Sequence, residues 1–191
     1  MGVNNPINLI AGPADLYIGN FGAAEPADSA VGTIPSSAAW TDIGATMGGV
    51  KLVMEQKLLK LEVDQSPDRM GSRVQEREFR IETSLAEATL TNIQLALAGG
   101  TVSSSAAFAT YDVAAGTTAA TQPTYRALIM DGWAPGATPL RRRAIIRKVL
   151  SAEGVKEQEY KRDGQTVMPV VLVGHYVSAS TVPIHIVDAL T

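Results

Sequence analysis

The chain has 191 residues, of which 46% are hydrophobic and 18% charged, a balance typical of one globular domain with its own core. The formal net charge is −3 and there is no cysteine, which excludes disulfides, thiolate catalysis and cysteine-ligated metal sites and argues against a polyanion as main partner. No secretion signal or bilayer-length apolar run is visible, so we expect synthesis in the cytoplasm.

The first quarter of the chain predicts two short strands separated by a long surface loop. The strands are expected at 14–19 and 40–44. Between them, residues 22–37 are rich in Ala, Pro, Ser and Gly, the composition of a loop. This part of the sequence therefore contributes edges and connections more than core.

Two strongly alternating segments follow, at 50–64 and 74–83, and apolar and charged residues alternate in each. Period-two alternation of this length predicts half-buried antiparallel strands. Residues 65–73 contain a Pro-Asp pair and a Gly, which predict a connecting loop. The charged positions of both strands are expected to share one face: Lys60, Glu62, Asp64, Glu76, Glu78, Arg80 and Glu82.

A capped helix is predicted directly after this hairpin, over 84–98. Ser84 and Glu87 have the spacing of a capping box, which satisfies two backbone donors at a helix start. The Gly-Gly pair at 99–100 is a favourable helix stop. Apolar residues recur at spacings of three and four: Leu90, Ile93 and Leu97.

The second half of the chain predicts further strands. Residues 101–123 are mostly Ala, Thr, Ser and Gly and can supply little core. The Asp-Gly pair at 163–164 predicts a tight hairpin turn. Five strands are expected, at 125–133, 140–150, 155–162, 167–177 and 183–187. The predicted fold is mainly β with one helix, an antiparallel β-sandwich or barrel.

The sequence offers no constellation of residues for catalysis. His175 and His185 lie on or beside apolar strands with no metal-ligand spacing, so we expect them to be structural. No serine sits in a Gly-x-Ser-x-Gly elbow, and the Gly-Gly pair at 48–49 precedes a strand, whereas phosphate-binding loops precede helices. We therefore expect a protein that is not an enzyme and needs no cofactor or metal.

One basic cluster is the only nucleic-acid signal in the chain. It comprises Arg141, Arg142, Arg143, Arg147 and Lys148. No aromatic residues interleave with these bases as a stacking platform would need, and the net charge is acidic. We favour a solvated strand face, or a patch that meets acidic residues of a neighbouring copy.

The charged face of the hairpin permits two interpretations. It holds five acids and two bases, and a monomeric sheet can keep such a face in water. Alternatively, several copies join their sheets edge to edge, because ring closure removes exposed strand edges. The charged face would then line a channel filled with water.

The order of these features resembles that of the major tail tube proteins of siphophages, bacteriophages with long non-contractile tails. The resemblance rests on a Gly-Pro-x-x-x-Leu-Tyr strand at 12–17, a Pro- and Ala-rich loop, Trp-Thr-Asp-Ile-Gly at 40–44, and Gly-Gly-Val at 48–50 opening a long hairpin that a helix follows. It covers residues 12–98, and the later strands match in general character.

The resemblance implies hexameric rings that stack into a hollow tube for the phage genome. It also implies one tail tube domain over 1–191, whose inner hairpin contributes to an oligomeric β-barrel and turns its seven charged side chains to the lumen. The parts of this domain would be an N-terminal arm at 1–12, the inner hairpin at 50–83, the helix at 84–98 and a C-terminal arm at 182–191.

In such a tube the tip of the hairpin would reach the adjacent ring. The implied partners are other copies, a tape measure protein in the lumen, and terminator and tip proteins at the ends. DNA would pass without specific binding, repelled by lumenal carboxylates. The location would be the virion tail, assembled in the host cytoplasm, with no membrane. The inter-ring loop would comprise Gln65, Ser66, Pro67, Asp68, Arg69, Met70 and Gly71.

Other functions remain open at this point. A head–tail connector or decoration protein is a second kind of virion part, but it rarely needs a long alternating hairpin followed by a capped helix. A tube protein of a contractile tail or type VI secretion system would have a similar fold, but its opening segment is less similar. The basic cluster leaves a nucleic-acid-binding β-barrel as a further alternative, and a small hydrolase is the least favoured.

Overall fold

The computed structural model describes residues 12–64, 66–113, 123–136, 140–153 and 162–190, and within them ten strands and one α-helix. The strands are β1 Asp15–Asn20, β2 Trp40–Asp42, β3 Thr46–Val63, β4 Ser66–Leu85, β5 Thr101–Ser104, β6 Ala109–Asp112, β7 Arg126–Ala134, β8 Leu140–Glu153, β9 Met168–Gly174 and β10 Ile184–Asp188. The helix α1 spans Leu90–Ala96, and a 3-10 turn spans Asp28–Ala30.

Eight of these strands form one antiparallel sheet. Their order is β2–β1–β7–β8–β9–β4–β3, and β10 pairs with β8 off this path. The remaining two, β5 and β6, form a separate hairpin. The sequence prediction of a mainly antiparallel β fold with one helix is confirmed.

The centre of the sheet is buried on both faces. Leu128 and Ile146 are fully buried in a core that includes residues of β4, β9 and α1. Their neighbours Ile129 and Ile145 point the other way, into a second cluster around Trp40. Burying each such aliphatic side chain contributes roughly 1.5–3 kcal/mol. Two-sided burial explains why β7 is an almost continuous apolar run.

Most predicted strands outside the hairpin are present. β1 lies where the first strand was expected, and β2 lies within the second expected segment. Four of the five expected C-terminal strands correspond to β7, β8, β9 and β10. The fifth, at 155–162, lies almost entirely outside the described residues, as do the first eleven residues of the expected N-terminal arm.

The long hairpin is longer than predicted, because β3 and β4 extend at both ends. Val63 pairs with Ser66, and Leu61 pairs with Gly71. The predicted loop at 65–73 is therefore too long, because residues 71–73 are paired with β3. Residues 67–70 have no partner on β3 and form a register irregularity between these two pairs.

The helix begins later than predicted and has a different cap. Ser84 is extended and belongs to β4, because the pairing of β4 with β9 continues as far as Leu85. The N-cap is Thr89, whose side-chain oxygen accepts a hydrogen bond from the Asn92 backbone N–H at 3.2 Å. The predicted capping box is wrong, since tertiary strand pairing overrides a local helix signal.

The face that the helix buries also differs from the expected apolar stripe. Asn92 and Leu95 are buried, whereas Leu97 is 43% exposed. The Asn92 side-chain amide donates to the Ile43 carbonyl at 2.9 Å and to the Glu87 carbonyl at 2.8 Å. These two bonds fix α1 against the chain entering β3 and the chain leaving β4.

Candidate assembly surface

The paired strands β3 and β4, here called the ribbon, have two open backbone edges. β3 is the last strand of the sheet order, and no described strand pairs with its outer edge. β4 pairs with β9 only over 80–85, so among the described residues its part from 66 to 79 has β3 as its only neighbour. The ribbon thus extends beyond the sheet with unpaired backbone groups on both sides.

The register assigns each ribbon residue to one of two faces, because directly paired residues of an antiparallel ladder point to the same side. Leu52 pairs with Ile81, which is fully buried, and this defines the core-side face. The opposite face, here called the charged face, includes the pairs Lys51 with Glu82, Val53 with Arg80, Glu55 with Glu78, and Lys57 with Glu76.

An extra residue in β4 changes the faces of the outer ribbon. Lys57 pairs with Glu76 and Leu58 with Val74, so Gln75 is inserted as a bulge in β4. Since β3 continues its alternation without an insertion, Lys60 lies on the opposite side from Lys57.

The prediction that all seven charged residues share one face is therefore wrong. Lys60 and Glu62 are on the core-side face, whereas Glu76, Glu78, Arg80 and Glu82 are on the charged face. Asp64 lies beyond the last strand pair of β3. The error arises because each strand alternates regularly by itself, and the bulge that offsets them leaves no mark in the sequence.

The charged face is balanced in charge. Its acids are Glu55, Glu76, Glu78 and Glu82, and its bases are Lys51, Lys57, Arg73 and Arg80. Four acids against four bases replace the acidic excess expected from the sequence. This face therefore carries no net charge from these residues.

Arg80 connects much of the charged face into one network. Its guanidinium lies 2.7 Å from Glu78 Oε1, 2.7 Å from Glu82 Oε1 and 3.0 Å from Glu55 Oε1, and Lys51 Nζ lies 3.0 Å from Glu82 Oε2. Hydrogen bonds to Glu82 and Glu78 raise the pKa of Arg80, and those from Arg80 and Lys51 lower the pKa of Glu82. Exposed pairs of this kind stabilise a fold little, so the network mainly fixes where each charge lies.

The core-side face carries apolar side chains past the end of the core. Met54 is 56% exposed, Leu58 47% and Val74 45%. Leu58 and Val74 are directly paired, and the polar pair of Gln56 and Arg77 separates them from Met54 on the same face. The outer part of this face therefore carries exposed apolar side chains in two separate places.

The basic cluster is engaged within the chain. Arg142 forms a two-bond pair with Asp188, at 2.6 and 2.7 Å, which lowers the pKa of that carboxyl. Arg147 likewise holds Glu25, at 2.6 and 2.9 Å. Arg143 is almost fully buried against an aspartate of β7.

The other two bases of the cluster contact aromatic rings. The Arg141 guanidinium lies 4.2 Å from the Trp133 ring centroid, and Lys148 Nζ lies 4.2 Å from the Tyr125 ring centroid. The expectation of a solvated strand face is therefore wrong, whereas a patch that meets a neighbouring copy stays a prediction. The only nucleic-acid signal in the sequence is accounted for by intramolecular contacts with residues distant in the chain.

The expected C-terminal arm is largely a strand of the sheet. Residues 184–188 form β10, which pairs with β8. The Arg147 backbone N–H donates to the Pro183 carbonyl at 3.0 Å, and its side chain donates to the Val182 carbonyl at 2.8 Å. The Arg142–Asp188 ion pair is a third contact that holds β10 against β8.

Both histidines have structural neighbours. His185 Nε2 lies 3.0 Å from Asp28 Oδ1, which connects β10 to the 3-10 turn. His175 packs edge-on against Tyr125 at 5.4 Å between ring centroids, and burial lowers its pKa. Within the described part of the chain, no group of three potential metal ligands is present, and no helix has the length and apolarity to span a bilayer.

The described residues form a mainly antiparallel β domain with a projecting, open-edged ribbon. This architecture is that of a structural β protein whose free strand edges can pair with other chains. The family model for phage tail tube proteins matches residues 1–173, and the chain therefore belongs to the phage tail tube protein family. No curated protein matches the chain. Family membership confirms the sequence-based identification: the protein is a non-enzymatic structural component of the virion tail that assembles into a tube.

Proposed function

We propose that the chain is the repeating subunit of a long, non-contractile tail tube, built from stacked hexameric rings through which phage DNA passes during ejection. Assembly takes place in the host cytoplasm. A tape measure protein occupies the bore during assembly, and terminator and tip proteins bind the two ends. Tail tube family membership and the open-edged ribbon support this function.

The observation that carries the proposal is the pair of open edges on one ribbon. The outer edge of β3 on one copy can pair with the open edge of β4, over residues 66–79, on the next copy. Such a contact joins two different edges, so it forms a ring when the rotation between neighbouring copies closes. Ring closure satisfies the backbone groups that a free edge leaves exposed.

The bore is lined by the charged face, because the core-side face of the same strands continues into the domain interior. Glu76, Glu78, Arg80 and Glu82 are lumenal in this arrangement, together with Lys51, while Lys60 and Glu62 are not. With equal numbers of acids and bases, the lining gives a polyanion no net attraction. DNA can then slide without being held.

The test is electron microscopy of concentrated purified protein, with a shortened ribbon as the variant. Lys57 and Glu76 are directly opposite, so an Asn-Gly turn can join them in place of residues 58–75. This variant retains Ile81 and the rest of the core, and we expect a folded, soluble subunit that forms no tubes.

A matched control shortens the hairpin of β5 and β6 in the same way, with Asn-Gly joining the paired residues Ser104 and Ala109. We expect this control to assemble like the wild type into stacked rings with a central hole. Tubes from the shortened-ribbon variant, or absence of rings from the wild type, would contradict the proposed function.

A further inference from the structure

The base of the ribbon carries a two-residue bulge on β3. Met47 pairs with Ser84 and Val50 pairs with Thr83, so the two glycines between Met47 and Val50 have no partner on β4. β4 has no extra residue at this point, because Ser84 and Thr83 are adjacent. The bulge therefore lies on β3 alone, the strand whose outer edge no described strand covers.

The conformation of this bulge depends on its two glycines. Gly48 has a φ of +80° and Gly49 a φ of +86°, in the left-handed region that other residues rarely adopt. Both are exposed, and a Cβ on either would meet no atom within 4 Å, so backbone conformation and not space requires glycine here. The Thr83 hydroxyl donates to the Gly49 carbonyl at 3.0 Å, which fixes the bulge to β4.

The bulge limits the part of β3 that is available to a further strand. A bulge on an edge strand interrupts the regular spacing of the backbone N–H and C=O groups and twists the edge, so a partner strand cannot pair past it. On β3 the stretch without an inserted residue is 50–63, and the open edge of β4 over 66–79 has the same length. Full pairing of these two edges uses all of 50–63, so a displacement towards the base of the ribbon would have to cross the bulge.

We propose that the Gly48–Gly49 bulge is a register stop, which fixes the offset at which β3 of one copy pairs with the neighbouring copy in the same ring. This inference rests on the proposed function, because it requires pairing between the ribbons of neighbouring copies. A slip of one residue is already excluded, since it would exchange the two faces of the ribbon. A slip of two residues keeps the faces, and the bulge prevents it. Because strand offset and strand number together set the diameter of a barrel, the stop gives every ring the same bore.

Deletion of both glycines tests the stop, because it leaves the pairing within one subunit unchanged. The pairs Met47–Ser84 and Val50–Thr83 become consecutive, so β3 continues as a regular strand. We expect a folded subunit whose tubes have more than one diameter in negatively stained electron micrographs, whereas wild-type tubes have one. The melting temperature of the unassembled subunit checks folding. If it falls, Thr83→Val is added, because the deletion leaves that hydroxyl without its acceptor.

The matched control changes the same two residues and keeps the bulge. Asparagine adopts the left-handed conformation more readily than other residues with a side chain, and there is open space for a side chain at both positions. The double variant Gly48→Asn with Gly49→Asn should therefore retain the stop. We expect its tubes to have the single diameter of the wild type.

A proline in the deletion variant tests whether edge pairing causes the change in diameter. Thr46 pairs with Leu85, and the Ala86 N–H donates to the Ala45 carbonyl at 2.8 Å. Since bonded and non-bonded pairs alternate along an antiparallel ladder, the N–H of Thr46 points to the open edge. A slip of two residues in the deletion variant would reach Thr46. Thr46→Pro removes that N–H, so we expect it to restore a single diameter.

The outcomes separate the register stop from the function. The stop would be overturned, and the tube subunit left in place, by deletion tubes with the wild-type diameter or by a folded deletion variant that forms no polymer. Asparagine tubes as varied in diameter as the deletion tubes, or varied diameters that the proline leaves unchanged, would overturn it as well. A wild-type protein that forms no tubes would overturn the proposed function itself.

Discussion

The ion pair of Arg143 and Asp131 connects the sheet to the long loop after β1. Arg143 is 1% exposed, and its guanidinium donates to Asp131 at 2.7 and 2.6 Å. It also donates to the backbone carbonyls of Thr33 at 2.7 Å and Ala30 at 3.3 Å. One buried side chain thus satisfies loop carbonyls from more than 100 positions away in sequence.

We expect Asp131→Asn to destabilise the subunit by about 3–5 kcal/mol, because it leaves a buried guanidinium without its counter-charge. The measurement is urea unfolding of the unassembled protein. The matched control is Asp15→Asn, an exposed carboxylate directly opposite Asp131 on β1, which should change stability by less than about 0.5 kcal/mol. A loss below about 1 kcal/mol for Asp131→Asn would show that the buried pair contributes little.

At the scale of elements, the left-handed residue that ends the helix lies one position before the glycine pair that predicts it. The sequence predicts the stop at the Gly-Gly pair, but the left-handed residue is Ala98, with a φ of 52°. The Ala98 N–H bonds the Leu95 carbonyl at 3.2 Å, and the Gly99 N–H bonds the Gln94 carbonyl at 3.3 Å. This is a Schellman ending, in which glycine is the favoured left-handed residue.

We expect Ala98→Gly to stabilise the subunit by about 0.5–1 kcal/mol, because it relieves the Cβ clash of the left-handed conformation. Thermal unfolding of the unassembled protein measures the change. Ala96→Gly, at the last residue of the same helix, is the control and should destabilise it by about 1 kcal/mol. Destabilisation by Ala98→Gly would mean that the helix end is not held as described.

Among the strands, the bulge at Gln75 decides which ribbon residues share a face. The sequence predicts both ribbon strands and the alternation within each. It cannot predict the relative offset, because a single inserted residue in β4 reverses the faces beyond it. For this reason the sequence places Lys60 and Glu62 on the wrong face.

At the scale of the whole molecule, the proposed function together with the strand register places equal numbers of acids and bases on the lining of the bore. Under the proposed function, Glu76→Lys changes the lining to five bases and three acids per copy. We expect intact tubes but slower DNA release from virions that carry the variant, most strongly at low salt, because a basic lumen binds phosphates.

Glu62→Lys is the matched control, since it makes the same charge change on the core-side face. It should leave the rate of DNA release at the wild-type value. Equal release rates for the two variants would argue that the charged face does not line the bore.

The sequence alone predicts the class of fold, the order of the helix and of every strand except β5 and β6, and the tail tube family. These depend on alternation, turn residues and motif order, which are local properties written along the chain. The tertiary structure decided the face of each ribbon residue, the late start of the helix at Leu90 and the partners of the basic cluster. These depend on strand register and on contacts between residues as far apart as Arg147 and Glu25, which only the folded chain brings together.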